Sequence, residues 1–291
     1  MTRVELKQRQ VPKANMSTTN DTSRPGAKAR TVTWKQISEW QLDNKYILSG
    51  YRPEKASYLE ILTSLTFLHN ETCNVYTHLV GALALPLVAG TFLRYLAEPR
   101  FLNVSSMDYT IFGIYFWCAE ICLVLSVLYH LMQPHSHDVE QFWHGMDLLG
   151  IVIVTILTTG TITGVLISNP SLKTPRYRNV KAGAFVVFGA SSFIPLLHGV
   201  QRYGLEYMLE YAGMKWYLLE LTFYGTGVAL YAFRIPERLA PGKFDIWGSS
   251  HQIFHVAILF AMYTHLTAML QGFTSAYTLD MCQLRGVKGA S

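Results

Sequence analysis

Apolar residues in this chain come in long blocks separated by short polar stretches, from about residue 74 to residue 271. Six blocks, near 74–96, 109–131, 147–168, 182–202, 215–233 and 251–271, have the length and apolar content to cross about 30 Å of hydrocarbon. Gly, Pro, Thr and His interrupt them, as in membrane helices that pack on one another. The pattern predicts an all-α, polytopic transmembrane helix bundle over 74–271. Before it, KASYLEILTSLTFLHNETCN carries an apolar stripe (Leu59, Leu62, Leu65, Leu68) too broken to span. It predicts a juxtamembrane helix over 56–73, lying in the interface or packed under the bundle. Residues 1–55 read as a largely disordered arm, and 272–291 as a short polar tail. No internal repeat is visible.

Composition agrees with the pattern. Half of the 291 residues are hydrophobic and only 15% are charged, against about 25% in a soluble domain. The formal charge of +5 is uneven: residues 1–55 hold eleven Lys/Arg against five Asp/Glu. The basic balance belongs to the arm, and no folded basic face points to nucleic acid. The chain opens without the early apolar run of a secretory signal. Four scattered cysteines (Cys73, Cys118, Cys122, Cys282) form neither a Cys-x-x-Cys motif nor a disulfide framework. Cys118 and Cys122 read as small buried hydrophobes sharing a helical face.

Loop charges add a conflict. A basic arm belongs in the cytoplasm. Six crossings would then leave two basic loops outside: 169–181, with Lys173, Arg176, Arg178 and Lys181, and 234–245, with Arg234, Arg238 and Lys243. One further crossing between 147 and 173 would bring both inside.

Polar groups within apolar blocks are costly and point to function. Ser126 and His130 are four apart at the end of the second block, on one helical face. Asp147 opens the third, where a helix N-terminus favours a carboxylate; His144 reads as interfacial. His251 and His255 are four apart at the start of the last, a spacing that suits two imidazoles on one cation or ordinary polar packing. Ser249 or Ser250 is expected to cap that helix. Glu71, Asn74, Thr77 and His78 give the first block a polar face. His69, His135, His137, His198 and His265 have no evident partner, and Glu120 and Glu220 need one or a proton. Taken together, His130, His251 and His255 make a three-nitrogen site that suits zinc and leaves a fourth position for water. Asp147 would hold that water or take its proton, and Ser126 would orient it or polarise a substrate group. In a membrane the substrate would be a lipid; the alternative is a structural zinc clamping three helices.

The pieces FLHNETCNVYTHLVG (67–81), SVLYH (126–130), DLLG (147–150), TPRYRNVKAG (174–183) and RIPERLAPGKFDIWGSSHQIFHV (234–256) resemble the progestin and adipoQ receptor family. That family includes the adiponectin receptors and relatives of hemolysin III, and the chain looks most like its fungal members, linked to sterol, zinc and lipid homeostasis. The resemblance covers roughly 58–271. It implies seven membrane helices, a cytoplasmic N-terminus, an outward C-terminus and a lipid cavity. It also implies zinc on His130, His251 and His255, with Asp147 and Ser126 at the site, and ceramidase-like activity in the adiponectin-receptor branch.

One departure is large. The family places two helices between its site Asp and the basic loop, but only 26 residues separate Asp147 from Thr174. A crossing takes about 20 residues, so two do not fit, and about six spans of the seven-helix template are expected here. With six straight crossings His130 and His251 would lie on opposite faces, about 30 Å apart. The functions left open are a zinc-dependent lipid amide hydrolase, a lipid- or hormone-sensing receptor with structural zinc, and a channel or transporter. Expected partners are a membrane lipid, sterol or sphingolipid, with homo-oligomer formation left open. The expected location is the plasma membrane or the endoplasmic reticulum.

Overall fold

A computed structural model describes residues 29–101, 104–159 and 194–278. The expectations for residues 1–28, for the basic loop 169–181 and for the tail beyond 278 lie outside them. The described helices are α1 (Tyr58–Thr63), α2 (Thr72–Leu96), α3 (Ser106–Met132), α4 (His137–Thr159), α5 (Ile194–Tyr203), α6 (Leu205–Glu210), α7 (Met214–Phe233) and α8 (Ser250–Thr278). No strand occurs among the described residues; one isolated bridge joins Val32 to Tyr51.

The all-α expectation holds, but about six spans on a seven-helix template is corrected. Among the described residues three helices, α2, α3 and α8, are long and apolar enough to cross a membrane. Helix α4 is described up to Thr159 and helix α5 from Ile194. Helix α4 begins at His137, and its first turns carry Asp138, Glu140, His144 and Asp147. Helix α7 carries Lys215 and Glu220, and its Tyr, Thr and Gly residues dilute the rest.

Helix α3 packs on α2 and α4, and α8 packs on α7 and α2. Ser105 starts α3 through a capping box: its N–H and hydroxyl both donate to Asp108 at 2.8 and 2.6 Å, which ties down free donors of the first turn. At that end Phe92, Leu96, Phe101, Phe112, Phe116 and Phe273 form a buried hydrophobic cluster, five of the six aromatic. Leu83, Leu87, Trp117, Phe260 and Tyr263 stay exposed on the outer helix faces, a distribution that suits a lipid surround.

The opposite end is polar. The segment 31–55 folds back over it and pairs with the 234–249 loop. Leu48 N–H and the Ser49 hydroxyl donate to Asp245 at 2.9 and 2.6 Å, and Asn44 donates to Glu237 at 2.9 Å. Arg234 reaches Asp43 at 2.9 Å. Arg234 has φ 56°, a left-handed conformation costing a non-glycine residue roughly 1–2 kcal/mol. The ion pair and the guanidinium lying 4.6 Å over the Tyr231 ring offset that cost. The segment 31–55 and the 234–249 loop therefore share one end of the bundle.

Candidate metal centre

His130 lies at the C-terminal end of α3, and His251 and His255 lie on the first turns of α8. Both ends meet beneath the segment 31–55. Ring centroids are 4.9 Å apart for His130–His251, 4.7 Å for His130–His255 and 4.9 Å for His251–His255. One ring nitrogen from each lies within 4.8 Å of the others. The separation of about 30 Å expected for six straight crossings does not occur, because the end of α3 and the start of α8 occupy the same end of the bundle.

The start of α8 is anchored in several ways. Ser250, one of the two candidate caps, donates its N–H to Glu237 at 2.8 Å and its hydroxyl to the same carboxylate. Ser249 contributes its carbonyl to Ile253 N–H at 3.0 Å. Gln252 donates to Ile246 O at 2.8 Å and Asn70 O at 3.1 Å. The end of α3 is anchored by Arg52, a buried guanidinium donating to the carbonyls of His130 at 2.5 Å and Leu131 at 3.0 Å. A cation there satisfies carbonyls that have no partner within the helix. Burial brings the Arg52 guanidinium down to about 10, which leaves it charged at neutral pH.

His130 and His255 are 1% and 2% exposed, yet His130 Nε2 and His255 Nδ1 have no hydrogen-bond partner. A buried nitrogen left alone costs about 1–3 kcal/mol. Two such nitrogens on histidines of one imidazole cluster fit a cation-binding site, and three imidazoles without sulfur suit zinc among the borderline metals. A polar cavity of about 40 Å³ opens beside the cluster, touching His130, His251, Glu71, Asn74 and Asp43.

Ser126 is buried one turn before His130 on the same face of α3. Asp147 projects from α4 to hydrogen-bond Ser126 and lies within electrostatic range of His130. Gly150 makes this approach possible: a Cβ there would stand 3.1 Å from Cys122 Cα, one turn from Ser126. All five residues singled out in the sequence thus lie in one neighbourhood.

Several other groups were not assigned a role from the sequence. Glu71 bonds His130 Nδ1 at 2.8 Å. Burial works against its charge, but the hydrogen bonds from His130 and Asn74 hold its carboxyl well below the usual carboxylate range. The His78 ring stacks on His255, centroids 4.0 Å apart, with neither nitrogen partnered. His265, which had no evident partner, pairs with Glu220 at 3.0 Å. His135 packs at a tilt against Tyr58, His137 stacks on Trp40, and His144 stacks on Tyr129. The partner positions lie far away in sequence, so no spacing rule could connect them.

The family model described as Haemolysin-III related matches residues 66–168 and again 152–266. The stretch 152–168 takes part in both matches. The chain is 32% identical over 298 residues to the ADIPOR-like receptor IZH2 of Saccharomyces cerevisiae, covering 92% of each chain. It is 32% identical over 265 residues to the ADIPOR-like receptor IZH1 of Eremothecium gossypii, covering 82% of this chain and 84% of that protein. It is also 32% identical over 257 residues to the adiponectin receptor protein of Drosophila melanogaster, covering 80% of this chain and 57% of the other. The yeast match extends over 298 aligned positions, more than the 291 residues of this chain, so gaps here face residues that the relative carries. The chain therefore belongs to the haemolysin-III related family, alongside the adiponectin receptors and ADIPOR-like proteins that it matches.

Proposed function

We propose that this protein is a membrane receptor holding zinc on His130, His251 and His255, with a lipid- or hormone-type molecule as its ligand. The single observation that carries the metal reading is the meeting of three histidines from two helices, two of them with unpartnered buried nitrogens. The ligand class rests on the receptor names of the relatives and on the apolar outer faces of α2, α3 and α8. Bound zinc would supply Lewis acidity and a tie between α3 and α8. The chain's own contribution is to hold both helix ends in register: Arg52 secures the last turn of α3, and Glu237 and Gln252 secure the first turn of α8.

The test is metal analysis of purified protein. Wild type is expected to carry about one zinc per chain, and His130→Ala, His251→Ala and His255→Ala to lose most of it. His198, exposed on α5, is the control; His265 does not serve, because its removal strands Glu220. Full zinc content in all three cluster variants would sink the site.

A second reading, a zinc-dependent amide hydrolase acting on ceramide-like lipids, is favoured by the Asp147–Ser126 pair beside His130. Asp147 would accept a proton during hydrolysis, and Ser126 would hold its carboxylate toward the cluster. Asp147→Asn then keeps its zinc and loses turnover by a factor of roughly 10²–10⁴. Turnover retained in that variant removes Asp147 from the role. Absence of turnover in zinc-loaded wild type leaves the receptor reading standing.

A further inference from the structure

We infer that Glu71 is the positioning residue of the metal centre: it fixes the orientation and tautomer of His130 so that Nε2 faces the cluster, and its negative charge compensates the bound cation. The inference rests on the zinc reading above. It begins from a contact that joins different parts of the fold. Glu71 is the residue before α2, whereas the three candidate ligands sit on α3 and α8. Its Oε2 takes the bond from His130 Nδ1 at 2.8 Å. The histidine side chain is 2% exposed and the glutamate 12%, so water competes little for either group.

A carboxylate has no proton to give, so Nδ1 must be the donor. That assignment leaves the lone pair of a neutral imidazole on Nε2, the atom with no other partner. Metal-binding histidines commonly have the second ring nitrogen held by a carboxylate or carbonyl in this way.

Glu71 is itself held. Asn74 donates to the same oxygen at 2.6 Å, and Asn70 donates to the other at 3.2 Å. Two amides on one carboxylate restrict its rotation, so the orientation passes from the loop before α2 through Glu71 to the ring on α3. The charge matters as well. Three neutral imidazoles around a divalent cation leave two positive charges to balance in a site largely shut off from water, and a carboxylate one hydrogen bond away reduces that cost.

The experiment uses the full chain in detergent micelles, stripped of metal and titrated with zinc against a chromogenic chelator. Glu71→Ala is expected to weaken zinc binding 10–100-fold while reaching the wild-type stoichiometry at saturation. Glu71→Gln keeps an amide oxygen for Nδ1–H and loses the charge, so its affinity should fall between the two. It also covers the case in which the alanine variant fails to fold. Cobalt in place of zinc gives a second readout: its visible bands should shift in Glu71→Ala and return toward wild type in Glu71→Gln. Wild-type affinity and spectrum in both variants, with zinc still lost from His130→Ala, would overturn the role of Glu71 and leave the metal centre intact. No zinc in wild type overturns both.

Discussion

At the scale of single residues, the polar end of the bundle works by leaving each buried group one option. His69, 1% exposed, accepts a hydrogen bond on Nδ1 from Glu71 N–H at 3.1 Å. Burial, and then the charge of Arg52, brings its imidazole down to about 3. An unfolded histidine titrates near 6.5. Below that pH the unfolded chain takes up a proton that the folded chain refuses, so stability falls as pH drops from 6.5 toward 3, by up to ~1.4 kcal/mol per unit. Melting temperature should therefore decline between about pH 7 and about pH 5, and His69→Gln should flatten the decline. Equal slopes in the two proteins would exclude His69 as the source. In the sequence this residue is one of five histidines without an evident partner; the groups that surround it become neighbours only when the loop before α2 folds under α3.

At the scale of elements, the crossing of α3 and α4 sets the neighbourhood of Asp147. Small residues let helix backbones approach closely, and Gly150 against Cys122 is such a point. Gly150→Leu is expected to cost about 1–3 kcal/mol through overpacking and to draw Asp147 away from Ser126. Gly90→Leu, where a Cβ would meet nothing, is the matched control in a thermal melt. Comparable losses in both would show that the crossing does not depend on the glycine. Helix α7 meets α8 as closely at Gly213, whose φ is +77° and whose Cβ would fall 2.5 Å from Ala268 O. Apolar blocks announce such helices in the sequence. Their ends are less legible: α4 starts ten residues before the apolar block at 147, because the polar turns His137–Met146 are helical too. A block marks where hydrocarbon is preferred, whereas a helix continues as long as backbone hydrogen bonds and packing support it.

For the molecule as a whole, the segment 31–55 acts as a cover over the histidine end, and Glu237 is its main link to α8. This carboxylate is fully buried and serves Asn44 on one side and Ser250 on the other. Glu237→Ala strands those donors and should destabilise the protein by about 3 kcal/mol. It should also speed proteolysis within 31–55 and weaken zinc binding, because His251 follows Ser250 directly. Glu60→Ala, which removes an exposed pair with Lys55, should change stability by less than about 1 kcal/mol. Unchanged protease resistance in the Glu237 variant would mean that the cover is held from elsewhere. The 234–249 loop lies with this cover.

The sequence by itself determined the all-α class, the apolar helices and the pairing of His251 with His255 on one helical face. Each of these follows from periodicity within a single segment, which 3.6 residues per turn translates directly into geometry. Family membership was legible too, because its motifs are short and continuous. Packing alone settles that His130 joins the other two histidines and that Glu71 and Arg52 stand behind it. Those facts depend on which helix ends share one end of the bundle. A count of crossings put the ends of α3 and α8 apart; packing put them together, since Arg52, Glu237 and Gln252 bind both ends through contacts between residues far apart along the chain. Local patterns carry no information about such contacts, which arise only when buried polar groups must find partners.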